Sequence, residues 1–538
     1  MTEMTGGQAI VKSLIGHGVD TVFALPGVQM DNLFDAFYDH QDDIRIIHTR
    51  HEQTTAYMAF GYAQVTGKGG VCVVVPGPGL LNASGALSTA WACNSPVLCI
   101  TGQIFDHQYG KSVGALHEIP DQLGMIAHIA KWTKHIGTPQ EAPADIQEAF
   151  RQMFSGRPRP VVVEMMPGVM GQVADVSLLD AGQPEKPEID ADAIDQAAKI
   201  LGEAQYPVIY AGGGALDAGE ALQQLAETLQ APVIMTPSGR GALSDRHPLA
   251  LTFLGGHKIW AQADAVLAVG TRFERGLMDW GLDGMKVIRM DIDPEEFGKI
   301  QQPDVAIVAD AERGLSQLAN KVEGYNRSRE SRKEELDAVR EQVQDELFEK
   351  GQPQASINEV IRQGLPDDGV YVGDITQTAA FADIGFPVYQ PRTYIGAGFQ
   401  GTLGYGYATA LGVQVGAGNR KVVSINGDGG FLYTQPEMAT AKQHNIPLVA
   451  IVFNDGAYGN VKAIQRTRYS GREIASTLEN PDFVKLADAF GIAGFRAESP
   501  DQLRDVLRQA FDLNSPALID YPTAPMPMVS QPSRGKVR

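Results

Sequence analysis

Two segments in the last third of the chain carry residue types that bind a hard metal and a phosphate. Asn426-Gly-Asp-Gly-Gly-Phe431 follows the apolar run Lys421–Ile425, and Asn454-Asp-Gly-Ala-Tyr-Gly459 follows the run Leu448–Phe453. Between Gly429 and Asn454 lie 24 residues, enough for one helix and strand of a parallel crossover. Such a crossover sets Asp428 and Asn454 side by side at the ends of neighbouring strands. One carboxylate, one amide oxygen and a backbone carbonyl are oxygen ligands that suit Mg2+ shared with phosphate oxygens. Gly427, Gly429 and Gly430 let the backbone approach a diphosphate, with N–H groups near a helix start aimed at it. A lone Gly-Asp-Gly is usually a tight turn; a second strand ending in Asn-x-Gly at crossover distance points to a ligand site.

The first third holds another junction of this kind. The run Ile44–Ile47 leads to His48-Thr-Arg-His-Glu-Gln53, and a helical stretch follows with Ala56, Ala59, Gly61 and Ala63. Taken alone, Glu52 is explained by the preference of a helix start for an acid. Gly398-Phe-Gln-Gly-Thr-Leu-Gly-Tyr-Gly406 and Gly373-Asp-Ile-Thr-Gln377 are further junctions, where Leu403 reads equally well as a core residue.

The elements that must position these residues are legible as short apolar runs. They fall at 21–26, 44–47, 71–75, 96–100 and 160–164, at 207–210, 232–235, 265–269, 287–291 and 305–308, and at 370–372, 421–425, 448–453 and 517–520. Continuous runs of this length suit strands covered on both faces. Helical patterns between them, including Gln435–Gln443, imply parallel sheets with right-handed crossovers. Gly171–Asp190, without periodicity, and the highly charged Gly324–Pro353 read as linkers. The expectation is an α/β protein of three doubly wound parallel-sheet domains, at residues 1–172, 190–323 and 352–538. In such sheets ligands sit beyond the carboxyl ends of the strands.

Composition narrows the partners. The formal charge of the 538 residues is −20. An acidic surface repels nucleic acid and anionic lipid, so neither is an expected partner. No apolar run reaches 18 residues and no secretory leader pattern opens the chain, so a cytoplasmic location is expected. Cys72, Cys93 and Cys99 fit neither a zinc site nor a disulfide framework.

The Gly-Asp-Gly to Asn spacing resembles the thiamine-diphosphate motif. Arg50-His-Glu-Gln-x-Ala with Met58-Ala-Phe-Gly-Tyr-Ala63 resembles the glutamate segment of that superfamily's decarboxylases and carboligases. The resemblance implies thiamine diphosphate and Mg2+, with Asp428, Asn454 and the carbonyl of Gly456 as metal ligands. It implies that a buried Glu52 bonds the aminopyrimidine ring and so lets the cofactor take its own thiazolium proton. Leu403 matches the residue that holds the cofactor bent, Gly401 the carbonyl that accepts from the amino group, and Gln377 a contact to the diphosphate. The three domains are then pyrimidine-binding, central and diphosphate-binding. Glu52 of one subunit would face Asp428 and Asn454 of another, in a homodimer or homotetramer.

Ala24-Leu-Pro-Gly27, Pro76-Gly-Pro-Gly-Leu-Leu-Asn82, Ile100-Thr-Gly-Gln103 and Asn480-Pro-Asp-Phe-Val-Lys-Leu-Ala-Asp-Ala-Phe-Gly491 are similar to acetolactate synthases and their near relatives. The implied reaction is decarboxylation of a 2-oxo acid such as pyruvate, with transfer of the resulting carbanion to a second carbonyl. Alternatives are a non-ligating 2-oxo acid decarboxylase, an acyl-CoA lyase or sulfoacetaldehyde acetyltransferase-like enzyme, and a binding relative without chemistry. Departures fall around the substrate: Val28 follows Gly27 where a second glycine is usual, Ile464 stands in place of a tryptophan, and Leu116-His-Glu118 replaces Phe-Gln-Glu. Gln103 and His117 are candidates for substrate binding or proton transfer; a structural role suits His117 equally. Gly212-Gly-Gly214 and Asp291-Ile-Asp293 are features of a dinucleotide fold. Gly255-Gly-His-Lys258 departs from the family's flavin pattern, so tightly bound FAD is not expected.

Overall fold

The computed structural model describes residues 1–182, 184–529 and 535–538. Three six-stranded parallel sheets form, one in each third of the chain. The first contains β1 (Thr21–Ala24), β2 (Arg45–His48), β3 (Gly70–Val74), β4 (Val97–Thr101), β5 (Trp132–Ile136) and β6 (Val161–Met165), in the order β2-β1-β3-β4-β6-β5. The second contains β7 (Pro207–Ala211), β8 (Val233–Met235), β9 (Ala250–Leu251), β10 (Ala265–Val269), β11 (Lys286–Asp291) and β12 (Val305–Val308), in the order β9-β8-β7-β10-β11-β12. That is the strand order of a dinucleotide fold. The third contains β13 (Val370–Gly373), β14 (Tyr394–Ile395), β15 (Val422–Gly427), β16 (Val449–Asn454), β17 (Ala493–Arg496) and β18 (Ala517–Pro522), in the order β14-β13-β15-β16-β18-β17. The first and third sheets therefore share one topology. In each, the strand order reverses between the first and third strands, where ligands of open α/β sheets bind.

The α/β reading stands, with additions. The strands β3, β4, β6, β7 and β10 are buried along their whole length, as continuous apolar runs require. The sequence reading did not include β5, β9, β14 or β17, nor the antiparallel pair Thr2–Thr5 with Val173–Val176. β5 and β17 are edge strands with partly exposed, mixed side chains, so they lack the apolar signal. The charged segment 324–353 contains the helix Lys333–Lys350, which buries only Leu336 and Val343.

Two helices tie the outer sheets together. α1 (Glu52–Thr66) follows β2, and α2 (Pro78–Ala92) follows β3. In the third domain α3 (Gln377–Gly385) follows β13 and α4 (Tyr405–Ala417) precedes β15. α1 and α4 are buried on nearly every side and pack against each other. A Cβ on Gly61 would lie 2.2 Å from the Thr409 carbonyl oxygen, and one on Gly412 2.0 Å from that of Met58. Only glycine allows this approach. One apolar core accordingly runs from the first sheet to the third, with Tyr57, Phe60 and Tyr405 edge to face between them. The central domain has its own core.

Candidate active site

The parallel pairing of β15 and β16, with Gly427 opposite Phe453, brings Asp428 and Asn454 together where the strands end. Helix α5 (Asp428–Thr434) starts directly at Asp428, earlier than the periodicity of 435–443 suggests. The glycines disguise this start, since they carry no apolar face. Asp428 is 2% exposed. Its Oδ1 accepts from the Gly429 N–H at 2.7 Å, and its Oδ2 accepts from the Gly456 N–H at 2.8 Å and from Asn480 Nδ2 at 2.6 Å. Asn480 Nδ2 also donates to Asn454 Oδ1 at 2.9 Å. Burial raises the Asp428 pKa, and these bonds offset part of the rise. Burial and the neighbouring Asp428 charge likewise raise Asp455.

This arrangement fits a divalent cation. A carboxylate oxygen and an amide oxygen converge on one donor, and the buried negative charge there has no ion-pair partner among the described residues. One carboxylate with neutral oxygens is the donor set of a cation that keeps water and phosphate ligands. Gly456, at φ +64°, directs its N–H to Asp428; its carbonyl accepts from the Leu478 N–H at 2.7 Å, which leaves one lone pair. Gly429 and Gly430 are also needed for packing. A Cβ on Gly429 would lie 2.6 Å from the Tyr458 ring, and one on Gly430 2.7 Å from Asp374 Oδ2.

The other residues singled out in this domain surround the same strand ends. Gln377 is the first residue of α3. Its Nε2 donates to Asn460, at the start of α6 (Gly459–Arg468), and its Oε1 accepts from the Val529 N–H at 2.7 Å. Gly401, at φ +64°, is exposed, and Leu403 is half-buried just before α4. The Leu403 carbonyl lies 3.5 Å from Gln53 Nε2, next to Glu52.

Glu52 opens α1 and is half-buried, where a buried side chain was expected. Its Oε2 accepts from Asn82 Nδ2 at 3.0 Å, and a Cβ on Gly79 would lie 3.5 Å from its Oε1. No hydrogen bond among the described residues joins Glu52 to Asp428 or Asn454. Gln103 is buried and committed: its Nε2 donates to Glu164 Oε2 at 3.3 Å, and its Oε1 accepts from the Ile104 N–H at 2.8 Å. His117, at φ +68°, pairs its Nδ1 with Gln29 Oε1 at 2.7 Å. Its carbonyl oxygen would be 2.1 Å from a Cβ on Gly77.

Sequence reasoning missed Asn480, Asp374, Asn82 and Gln29 as members of these clusters. Asp374 is 3% exposed and its pKa is pushed up to about 6 by burial. Asp374, Asn82 and Asn480 stand within the segments that carry the resemblance, but only the folded chain shows where their side chains meet.

Three descriptions of thiamine pyrophosphate enzymes match the chain. The N-terminal TPP binding domain covers residues 4–125, the central domain 194–318, and the C-terminal TPP binding domain 374–521. A probable acetolactate synthase large subunit of Methanocaldococcus jannaschii is 34% identical over 98% of this chain and 93% of its own. A probable 2-ketoarginine decarboxylase of Pseudomonas aeruginosa is 35% identical over 96% of this chain and 94% of its own. The acetolactate synthase large subunit of Corynebacterium glutamicum is 32% identical over 96% of this chain and 86% of its own.

Proposed function

The chain belongs to the thiamine pyrophosphate enzymes, and on that premise we propose that it decarboxylates a 2-oxo acid such as pyruvate and joins the remaining fragment to a second carbonyl. It is a thiamine-diphosphate-dependent enzyme; the substrates and the ligation step are the proposal. Likeness to acetolactate synthase large subunits along nearly the whole chain supports ligation. The convergence of Asp428 and Asn454 on one point carries the cofactor placement.

When bound, thiamine diphosphate supplies an electron sink that stabilises negative charge on the carbonyl carbon of the substrate. Asp428, Asn454 and the Gly456 carbonyl would hold Mg2+. Gly427, Gly429, Gly430 and Gln377 would face the diphosphate, Leu403 would pack against the rings, and the Gly401 carbonyl would accept from the amino group. Glu52 would keep a proton on the aminopyrimidine nitrogen. His117, presented by its loop, would meet the substrate; Gln103, with its amide committed to Glu164 and Ile104, would shape the pocket wall. Residues 1–172 then form the pyrimidine-binding domain, 190–323 the central domain and 352–538 the diphosphate-binding domain.

Simple decarboxylation is the second reading. The relative described as a probable 2-ketoarginine decarboxylase and Ile464 in place of a tryptophan both favour it. Product analysis by NMR with pyruvate, alone and with an added aldehyde, separates the two. A 2-hydroxy ketone or acetohydroxy acid is expected; free acetaldehyde as the sole product would replace ligation with decarboxylation.

The proposal includes no tightly bound FAD. Gly212 and Gly214 are required by packing, since added Cβ atoms would meet Gly270 at 2.3 and 2.7 Å. Asp293 is paired with Arg157 of the first domain at 2.7 Å, and Glu296 pairs with the same arginine. An absorption spectrum of the denatured protein checks this: a full equivalent of released flavin contradicts it.

A further inference from the structure

Resting on the cation site proposed above, we infer that Asn480 is a positioning residue of that site, holding Asp428 and Asn454 together without the cation and turning its own amide oxygen toward the cation when it binds. Asn480 Nδ2 stands 2.6 Å from Asp428 Oδ2 and 2.9 Å from Asn454 Oδ1. These are the two side-chain oxygens that would bind the metal, and in this arrangement each spends a lone pair on the same NH2 group. The other end of that amide is unsatisfied: Asn480 Oδ1 is buried and has no hydrogen-bond partner among the described residues. A buried acceptor without a donor is costly.

A cation changes both ends of the amide at once. It claims the lone pairs that Nδ2 uses, and its charge repels an NH2 group while attracting a carbonyl oxygen. Rotation of the amide about its Cβ–Cγ bond exchanges the two groups. Oδ1 would then stand about where Nδ2 is, close to the spacing of roughly 2.9 Å between adjacent ligands of an octahedral Mg2+ with bonds of 2.0–2.1 Å. The NH2 group would leave the electrostatically wrong place. Asn480 lies 52 residues from Asp428 and 26 from Asn454, so the loop that carries it is tied to both strand ends by this one side chain.

Mn2+ binding tests this directly. The full-length protein, saturated with thiamine diphosphate, is titrated with Mn2+ and free Mn2+ is read by electron paramagnetic resonance. Asn480→Ala removes both the holding bonds and the oxygen, and is expected to weaken Mn2+ binding by roughly 10–100-fold or more, since even an outer partner of a metal site costs that much. Asn480→Asp keeps an oxygen, and is expected to bind Mn2+ at least as tightly as the parent, with a larger rise in thermal midpoint on adding Mn2+. If Asn480 only fills the gap, Asn480→Ala binds Mn2+ as tightly as the parent or more tightly, which overturns the inference. If Asn480→Ala does not fold, weakened binding by Asn480→Asp overturns it instead. Asp428→Ala in the same titration keeps the two ideas apart: parent-like binding there means that the cation site itself is elsewhere.

Discussion

Glu52 occupies a place that two forces favour, and only one of them is chemical. As the first residue of α1 it complements the helix dipole, so its position alone does not assign a role. Its carboxylate accepts from Asn82 on one oxygen, which fixes its direction, and the other oxygen faces Gly79, where there is no side chain. Glu52→Gln keeps this shape and can still hydrogen-bond, but it does not stabilise a protonated ring nitrogen as a carboxylate does. The variant is expected to fold, to bind thiamine diphosphate and Mg2+, and to lose on the order of 10²–10⁴ in rate. Proton–deuterium exchange at the thiazolium carbon, followed by NMR after acid quench, isolates the step. Exchange as fast as in the parent would leave only the helix-start explanation.

At the scale of elements, the site depends on how β13, β15 and α4 meet. Asp374 follows β13; its N–H donates to the Ile425 carbonyl at 2.8 Å, and its Oδ1 accepts from the Ile375 N–H at 2.8 Å. The backbone N–H groups of Ile375 and Gly406 face its carboxyl group and oppose part of the effect of burial. A Cβ on Gly406, in the first turn of α4, would stand 3.0 Å from Oδ2, so the helix closes over the carboxyl group. Burial raises the pKa from 3.8 to about 6. The folded protein therefore binds this proton more tightly than the unfolded chain. Its contribution to stability is fully present below about pH 4 and is lost as pH rises through about 6. Asp374→Asn removes the titrating group. Across a pH series from 4 to 8, the thermal midpoint of the parent is expected to fall relative to the variant up to about pH 6 and then to run parallel. A constant offset over that range would contradict the burial account. The sequence made the central strands legible because Val and Ile run unbroken through them. It left β5 and β17 illegible because Trp132-Thr-Lys-His-Ile136 and Ala493-Gly-Phe-Arg496 have no uniform face. Asp428 and Asn454 were legible because one crossover sets their spacing; Asn480 was not, because a loop delivers it.

The whole molecule pairs two sheets of identical strand order around α1 and α4, with the central domain as a separate body of core. Within this chain Glu52 and Asp428 share no bond, although both lie at carboxyl ends of strands. α6 faces solvent with side chains of mixed polarity. Phe399 is 60% exposed, Val461 on α6 is 51% exposed, and α6 has no buried residue. A symmetric pair of chains is the commonest oligomeric assembly. The proposal that each site takes Glu52 from one chain and Asp428 from its partner rests on the family resemblance. No helix among the described residues is long and apolar enough to cross a membrane.

Mixing two inactive variants tests this account most directly. Glu52→Gln and Asp428→Ala are unfolded, refolded together in equal amounts and assayed for carbon dioxide release from pyruvate with thiamine diphosphate and Mg2+. With sites built across two chains, half of randomly paired dimers are hybrids, and each hybrid holds one site with both Glu52 and Asp428 intact. Recovery of about a quarter of the activity of similarly refolded parent is expected. No recovery from the mixture, while refolded parent regains activity, would contradict a site shared between chains and the pairing of Glu52 with Asp428 on which the account rests.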